Sequence, residues 1–176
     1  LLDETSGRVR TPGGIRPQAI GLDTTGGWRG GTYPGSSMGV AALIRQVLSD
    51  ARWHDQSRTV WANHPEGNEP PVDASSLVAL EAVIKGRQPV IIDATSEIRA
   101  LRGARLAEEF ELDAIILGSG TEFRRADEIA RTELPVLVPV AYPKKPAVNS
   151  ARSAEGVDLR TLLTWKHAPE NARRLA

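Results

Sequence analysis

Three short apolar runs, separated by stretches of helical spacing, constrain this chain more than any other feature. They are residues 89–94 (PVIIDA), 113–118 (DAIILG) and 134–140 (LPVLVPV). Each is too short for a core helix and nearly continuous in apolar character, which is the pattern of a strand buried on both faces. Strands of that kind, alternating with helices, imply a parallel sheet covered on both sides. Their starts define units of about 21–25 residues. That tight rhythm predicts an α/β fold of the (β/α)8 barrel type, with an open doubly wound sheet as the alternative. A full barrel takes roughly 250 residues. A chain of 176 therefore implies a partial barrel with parallel strands.

The segments between the runs read as helices. Ser36 or Ser37 can cap a helix on which Val40, Leu43, Ile44, Val47 and Leu48 recur, running to about Trp53. Residues 54–72 are polar and carry prolines, and they read as a loop. Asp73 then caps a helix bearing Leu77, Leu80, Val83 and Ile84, ended by Gly86. Further helices are expected over 98–110, through Ala126 and Ile129, and over 158–167 after a loop of about fifteen residues. Residues 1–37 are rich in Gly, Pro, Thr and Ser and show no sustained period. The expected organisation is an irregular segment, 1–37, followed by the partial barrel, 38–176.

Composition excludes several classes of function. Lys plus Arg equals Asp plus Glu at 22 each, so nothing draws the chain as a whole to nucleic acid or to an anionic membrane. No run approaches the roughly 20 apolar residues of a membrane span. There is no cysteine, hence no disulfide, thiolate metal site or Cys nucleophile. The chain opens on Leu1 without Met, as expected of a trimmed product or a fragment, and its compartment stays open.

Four stretches carry a family resemblance. They are residues 33–46 (YPGSSMGVAALIRQ), 80–82 (LEA) with 86–90 (GRQPV), 105–110 (RLAEEF) and 120–127 (GTEFRRAD). In order and spacing they resemble the imidazolonepropionase-like branch of the amidohydrolase superfamily, over residues 33–140. The resemblance implies a β/α barrel that binds one or two divalent metals, such as zinc. It also implies hydrolysis of C–N bonds in cyclic amides, amides or peptides by metal-bound water. The family's ligands are a His-x-His pair on the first strand, single histidines ending the fifth and sixth strands, and an Asp on the eighth.

Set against that pattern, the fifth-strand histidine segment falls on residues 91–95, with Asp93 and Thr95 at the matching positions. The sixth-strand histidine before Gly-Thr-Glu is Ser119 here. No His-x-His occurs, and the eighth-strand Asp would lie beyond Ala176. Hydroxyls are poor zinc ligands and a single carboxylate holds a metal weakly. The expectation is a chain without a metal of its own, catalytically silent as isolated.

Parity places Ile91, Asp93 and Thr95 on one side of a strand, and Ile115, Leu117 and Ser119 on one side of the next. Asp93 and Glu122 are the catalytic candidates, and Thr95, Ser119 and Tyr142 the substrate-binding candidates. The plainer alternative is that Asp93, Thr95 and Ser119 cap loops and helices. His54, His64 and His167 are expected to be exposed or to compensate a helix terminus. The glycine-rich run before the first helix lacks a nucleotide-loop ending. Trp53 and Trp61 read as loop anchors. Residues 142–146 (YPKKP) read as a rigid basic loop on the active-site face. Expected partners are a small-molecule ligand, and either the remaining barrel segments or a second chain. A binding or structural module, and an enzyme completed by segments outside this chain, stay open as alternatives.

Overall fold

The structure is a computed structural model that describes residues 36–176 throughout and, before them, residues 2–3, 8–9 and 18–21. Most of the glycine-rich run before the first helix, up to residue 35, lies outside the described residues.

Two two-residue strands, β1 (Leu2–Asp3) and β2 (Arg8–Val9), pair antiparallel. The main sheet is parallel throughout, in the order β3 (Gln18–Gly21), β4 (Val90–Asp93), β5 (Ala114–Leu117) and β6 (Val136–Leu137). The three apolar runs thus become three adjacent strands in chain order. Three strands fall in the segment expected to be irregular. Of these, β3 (QAIG) has only Ile20 as a strong strand former, too little to generate a legible period. The last run yields a strand of two residues rather than seven. Pro135 and Pro139 bracket it, and neither has an N–H for a ladder.

The first long helix, α1 (Ser37–Asn63), opens on Ser36, whose hydroxyl accepts from the Gly39 N–H at 3.1 Å. It continues ten residues past Trp53. Polar residues 54–63 contain neither Gly nor Pro, so nothing breaks the helix, and polarity marks a solvated face rather than a loop. Two short helices follow, α2 (Ser75–Ala79) and α3 (Glu81–Ile84). Asp73 does not cap them: Ala74 holds the cap position and makes no side-chain bond. The turn after α3 ends at Gly86 with φ +63°, a value that suits glycine.

Ser96 caps α4 (Glu97–Glu109), which packs on β4 and β5. A short α5 (Ala126–Ala130) leads into β6. The expected long loop contains α6 (Ala151–Glu155), whose capping box uses Ser153 where Glu or Gln is usual. Asp158 caps α7 (Leu159–His167) through the Thr161 N–H, and α8 (Asn171–Leu175) packs against α5.

The core lies between one face of the sheet and the helices. Val90, Ile92, Ala114 and Ile116 are at most 2% exposed. They pack with Leu48, Val83, Leu106 and Phe110 in one cluster, and with Ala100, Ala104 and Ile129 in another. The odd-numbered residues of the same strands face the other way, where no described helix covers them. Among the described residues, no helix is long and apolar enough to cross a membrane.

Candidate functional site

The carboxyl ends of β4 and β5 carry the polar residues that the sequence singles out. The turn after β5 is built around a carboxylate. Glu122, in a single 3-10 turn (Glu122–Arg124), is fully buried. Its oxygens accept from the Ser119 N–H at 2.5 Å, the Gly120 N–H at 2.9 Å, the Ser119 hydroxyl at 3.0 Å and the Asn171 amide at 2.6 Å. Glycine is required on both sides of Ser119. A Cβ on Gly118 would meet Glu122 Oε1 at 2.8 Å, and Gly120 has φ +85°. Asn171, at the first turn of α8, is itself fully buried, and its Oδ1 has no hydrogen-bond partner among the described residues. Glu122 therefore ties the β5 turn to the last helix.

A second buried carboxylate joins this network. Glu97, at the start of α4, accepts from the Thr121 hydroxyl at 2.9 Å, and Thr121 in turn contacts the Ser119 hydroxyl at 2.7 Å. Arg124 lies 3.7 Å and Arg160 4.0 Å from Glu97 Oε1. Burial works to raise the Glu97 carboxyl. Its own backbone N–H, the Thr121 hydroxyl and the two guanidinium charges outweigh that and hold it below the ordinary carboxylate range. Arg124 also donates to Thr164 at 2.7 Å, which brings α7 into the same cluster.

The expected site residues divide into separate groups. Ser119 and Glu122 are brought together, and both are engaged with each other. Thr95 accepts from the Arg99 guanidinium and is not linked to them. Asp93, the last residue of β4, is exposed and sits in register with Gly21 and Leu117, and its carboxylate has no partner among the described residues. Tyr142 is 56% exposed in the loop beyond β6. The pairing of a Gly-Ser-Gly turn with a Glu three residues after the serine was the legible signal for the buried carboxylate. Glu97, Thr121, Arg124 and Asn171 were missed. Their partners lie 24 to 49 residues away along the chain, or 27 in the case of Arg124 and Glu97, and no local motif marks them.

Of the histidines, His54 and His64 lie on or at the end of α1, and His167 borders the cluster through Phe123. His64 is exposed at the end of α1. His167 ends α7, makes a tilted ring contact with Phe123 at 5.4 Å between centroids, and meets Arg174 through Nδ1 at 3.0 Å. His54 departs from the expectation of exposure. It is 5% exposed on the inner face of α1, with Nε2 3.0 Å from the Val72 carbonyl. The cause is the extended helix, which turns what reads as a loop position into a core-facing one.

The donor set does not fit a divalent metal of the kind the resemblance implies. Among the described residues, no three His, Cys, Asp or Glu side chains are grouped to hold one. At the strand ends, the Thr95 hydroxyl is held by a guanidinium, and the Ser119 hydroxyl and Glu122 carboxylate are held by each other. Asp93 offers a single carboxylate, too little to bind such an ion firmly.

No protein-family model matches the chain, and no curated protein matches it. Among solved structures, it is similar to the crystal structure of an amidohydrolase from Thermotoga maritima MSB8, with a TM-score of 0.55 and 18% sequence identity. The likeness covers 77% of this chain and 34% of that one. At this identity it is a likeness of fold, and the chain spans about a third of the length of the amidohydrolase it resembles.

Proposed function

We propose that this chain is a non-catalytic portion of a β/α barrel of amidohydrolase type, in which residues 38–176 carry barrel units. One observation carries the reading. The strand-end positions at which the resembled family places histidines hold Asp93, Thr95 and Ser119, and the two hydroxyls are already committed to Arg99 and Glu122. The fold likeness to an amidohydrolase supports the barrel. Elemental analysis of the purified chain after incubation with zinc, then dialysis, tests the silent reading. The expected result is substoichiometric metal and no hydrolysis of cyclic amides, amides or dipeptides. One tightly held zinc, iron or manganese per chain would overturn it.

A second reading is favoured by Asp93. Its carboxylate is exposed and has no described partner, so it is available to a site completed by histidines from outside this chain. A longer gene product that binds zinc, and loses it on Asp93→Ala, would establish that reading.

A further inference from the structure

Helix α7 sits at the carboxyl-end rim of the sheet, and one guanidinium holds it there. We propose that α7 is a hinged strap over this rim, clasped shut by Arg124, and that it opens as a unit to uncover the Glu97 carboxylate. The inference goes beyond the proposed function and does not depend on whether the chain holds a metal.

The position comes first. Glu97 opens α4 just past the end of β4, and Phe123 and Arg124 lie in the turn past the end of β5. Among the described residues, the hydrogen bonds, ion pair and ring contact that α7 makes with the chain before it all fall on these three. Arg160 lies 4.0 Å from Glu97 Oε1, and His167 meets the Phe123 ring. Arg124 Nη2 donates to the Thr164 hydroxyl at 2.7 Å and to the Arg160 carbonyl at 3.3 Å.

The clasp is one planar group with two sides. Arg124 Nη1 lies 3.7 Å from Glu97 Oε1, on α4, while Nη2 holds α7. The guanidinium also sits over the Phe123 ring, 5.4 Å from its centroid, which helps to fix its orientation. Its side toward the body of the fold is therefore charged and preset. Its side toward α7 meets only a hydroxyl and a carbonyl, neutral acceptors that water can replace.

The two ends of α7 are held unequally. After it the chain is fixed, because Ala168 is buried and the buried Asn171 is bonded to Glu122. Before it, Gly156 and Val157 separate α7 from α6, and no residue of either helix is buried. Segments that bury little apolar surface open at low free energy. The hinge therefore lies at Ala168, and the first turn of α7 is the free end. Closed, the strap covers charge: the Glu97 and Arg124 side chains are 6% and 17% exposed. Lifting Arg160 and Thr164 away returns both to water.

Hydrogen exchange of the full chain, read residue by residue by NMR, tests the proposal. Amides from Leu163 to His167 should exchange through an opening that leaves the Ile116 amide protected. Arg124→Gln should speed α7 exchange by about tenfold or more, the loss expected of hydrogen bonds to a charged group, and leave Ile116 unchanged. Arg125→Gln, which breaks the neighbouring surface pair with Glu128, should leave α7 exchange as it is. Amidation of Glu97 by a water-soluble carbodiimide and an amine should rise in step with the opening. If Arg124→Gln fails to fold, Thr164→Ala decides. Alanine favours helix, so an unclasped helix would exchange more slowly, whereas a strap that loses its clasp exchanges faster. The strap is overturned by α7 amides as protected as that of Ile116, by α7 exchange that neither Arg124→Gln nor Thr164→Ala speeds, or by Glu97 amidation that does not follow the opening.

Discussion

The two faces of the parallel sheet are made from alternating residues of the same strands, and they differ sharply. On the helical face Val90, Ile92, Ala114 and Ile116 are at most 2% exposed. On the other face Leu117 and Leu137 are each 37% exposed, Asp93 is exposed, and Ile91 and Ile115 are half-buried. Both faces are mostly aliphatic, so composition does not separate them. What separates them is whether the described residues supply a cover. The difference teaches that strands apolar on both faces specify two packing partners, and α1, α3, α4 and α5 provide only one of them.

The helical face is where a single change should cost most. Ile116 is fully buried against Ala94, Ala100, Ala104 and Ile129. Truncation to alanine removes its apolar contacts and leaves a cavity that small neighbours cannot fill. Ile116→Ala should lower the free energy of unfolding by about 2–5 kcal/mol, read as a shift in urea midpoint at unchanged slope. A cost below about 1 kcal/mol would mean that the helices are not packed as described and that the contrast between the faces is unreal.

How much of this was legible follows from the range over which each signal acts. The runs around Ile92 and Ile116 declared themselves because a doubly apolar strand leaves a continuous mark in the sequence. The cap at Ser36 was legible because its partner lies three residues away. The far half of α1 was not, since polarity in a helix facing solvent looks like polarity in a loop. The candidate site was legible only in part. Gly118, Ser119, Gly120 and Glu122 stand close together in the chain, but the Glu122–Asn171 bond spans 49 residues and the Glu97–Thr121 bond 24. Contacts of that separation follow from the fold, not from a motif.

The rim network offers a middle-sized effect with a pH signature. Glu97 has an ordinary value of 4.5 and is held below it in the folded chain. The unfolded chain therefore takes up a proton first as pH falls. The stability that Glu97 contributes is full above pH 4.5 and is lost as pH drops through the lower folded value. Glu97→Gln should cost about 1.5 kcal/mol at neutral pH, the worth of a charge-assisted hydrogen bond, and should flatten the loss of stability below pH 4.5. An acid limb of unchanged slope in the variant would show that Glu97 is not tied to Thr121, Arg124 and Arg160, and the rim would then be no more ordered than the open face.

The smallest effect belongs to Leu117, one residue from Ile116 and on the opposite face. Its side chain is already partly in water, so removing most of it forfeits little burial and opens no cavity. Leu117→Ala should change unfolding stability by no more than about 0.5 kcal/mol. A Leu117→Ala penalty as large as that of Ile116→Ala would mean that the chain covers both faces by itself, and the asymmetry between them would be gone.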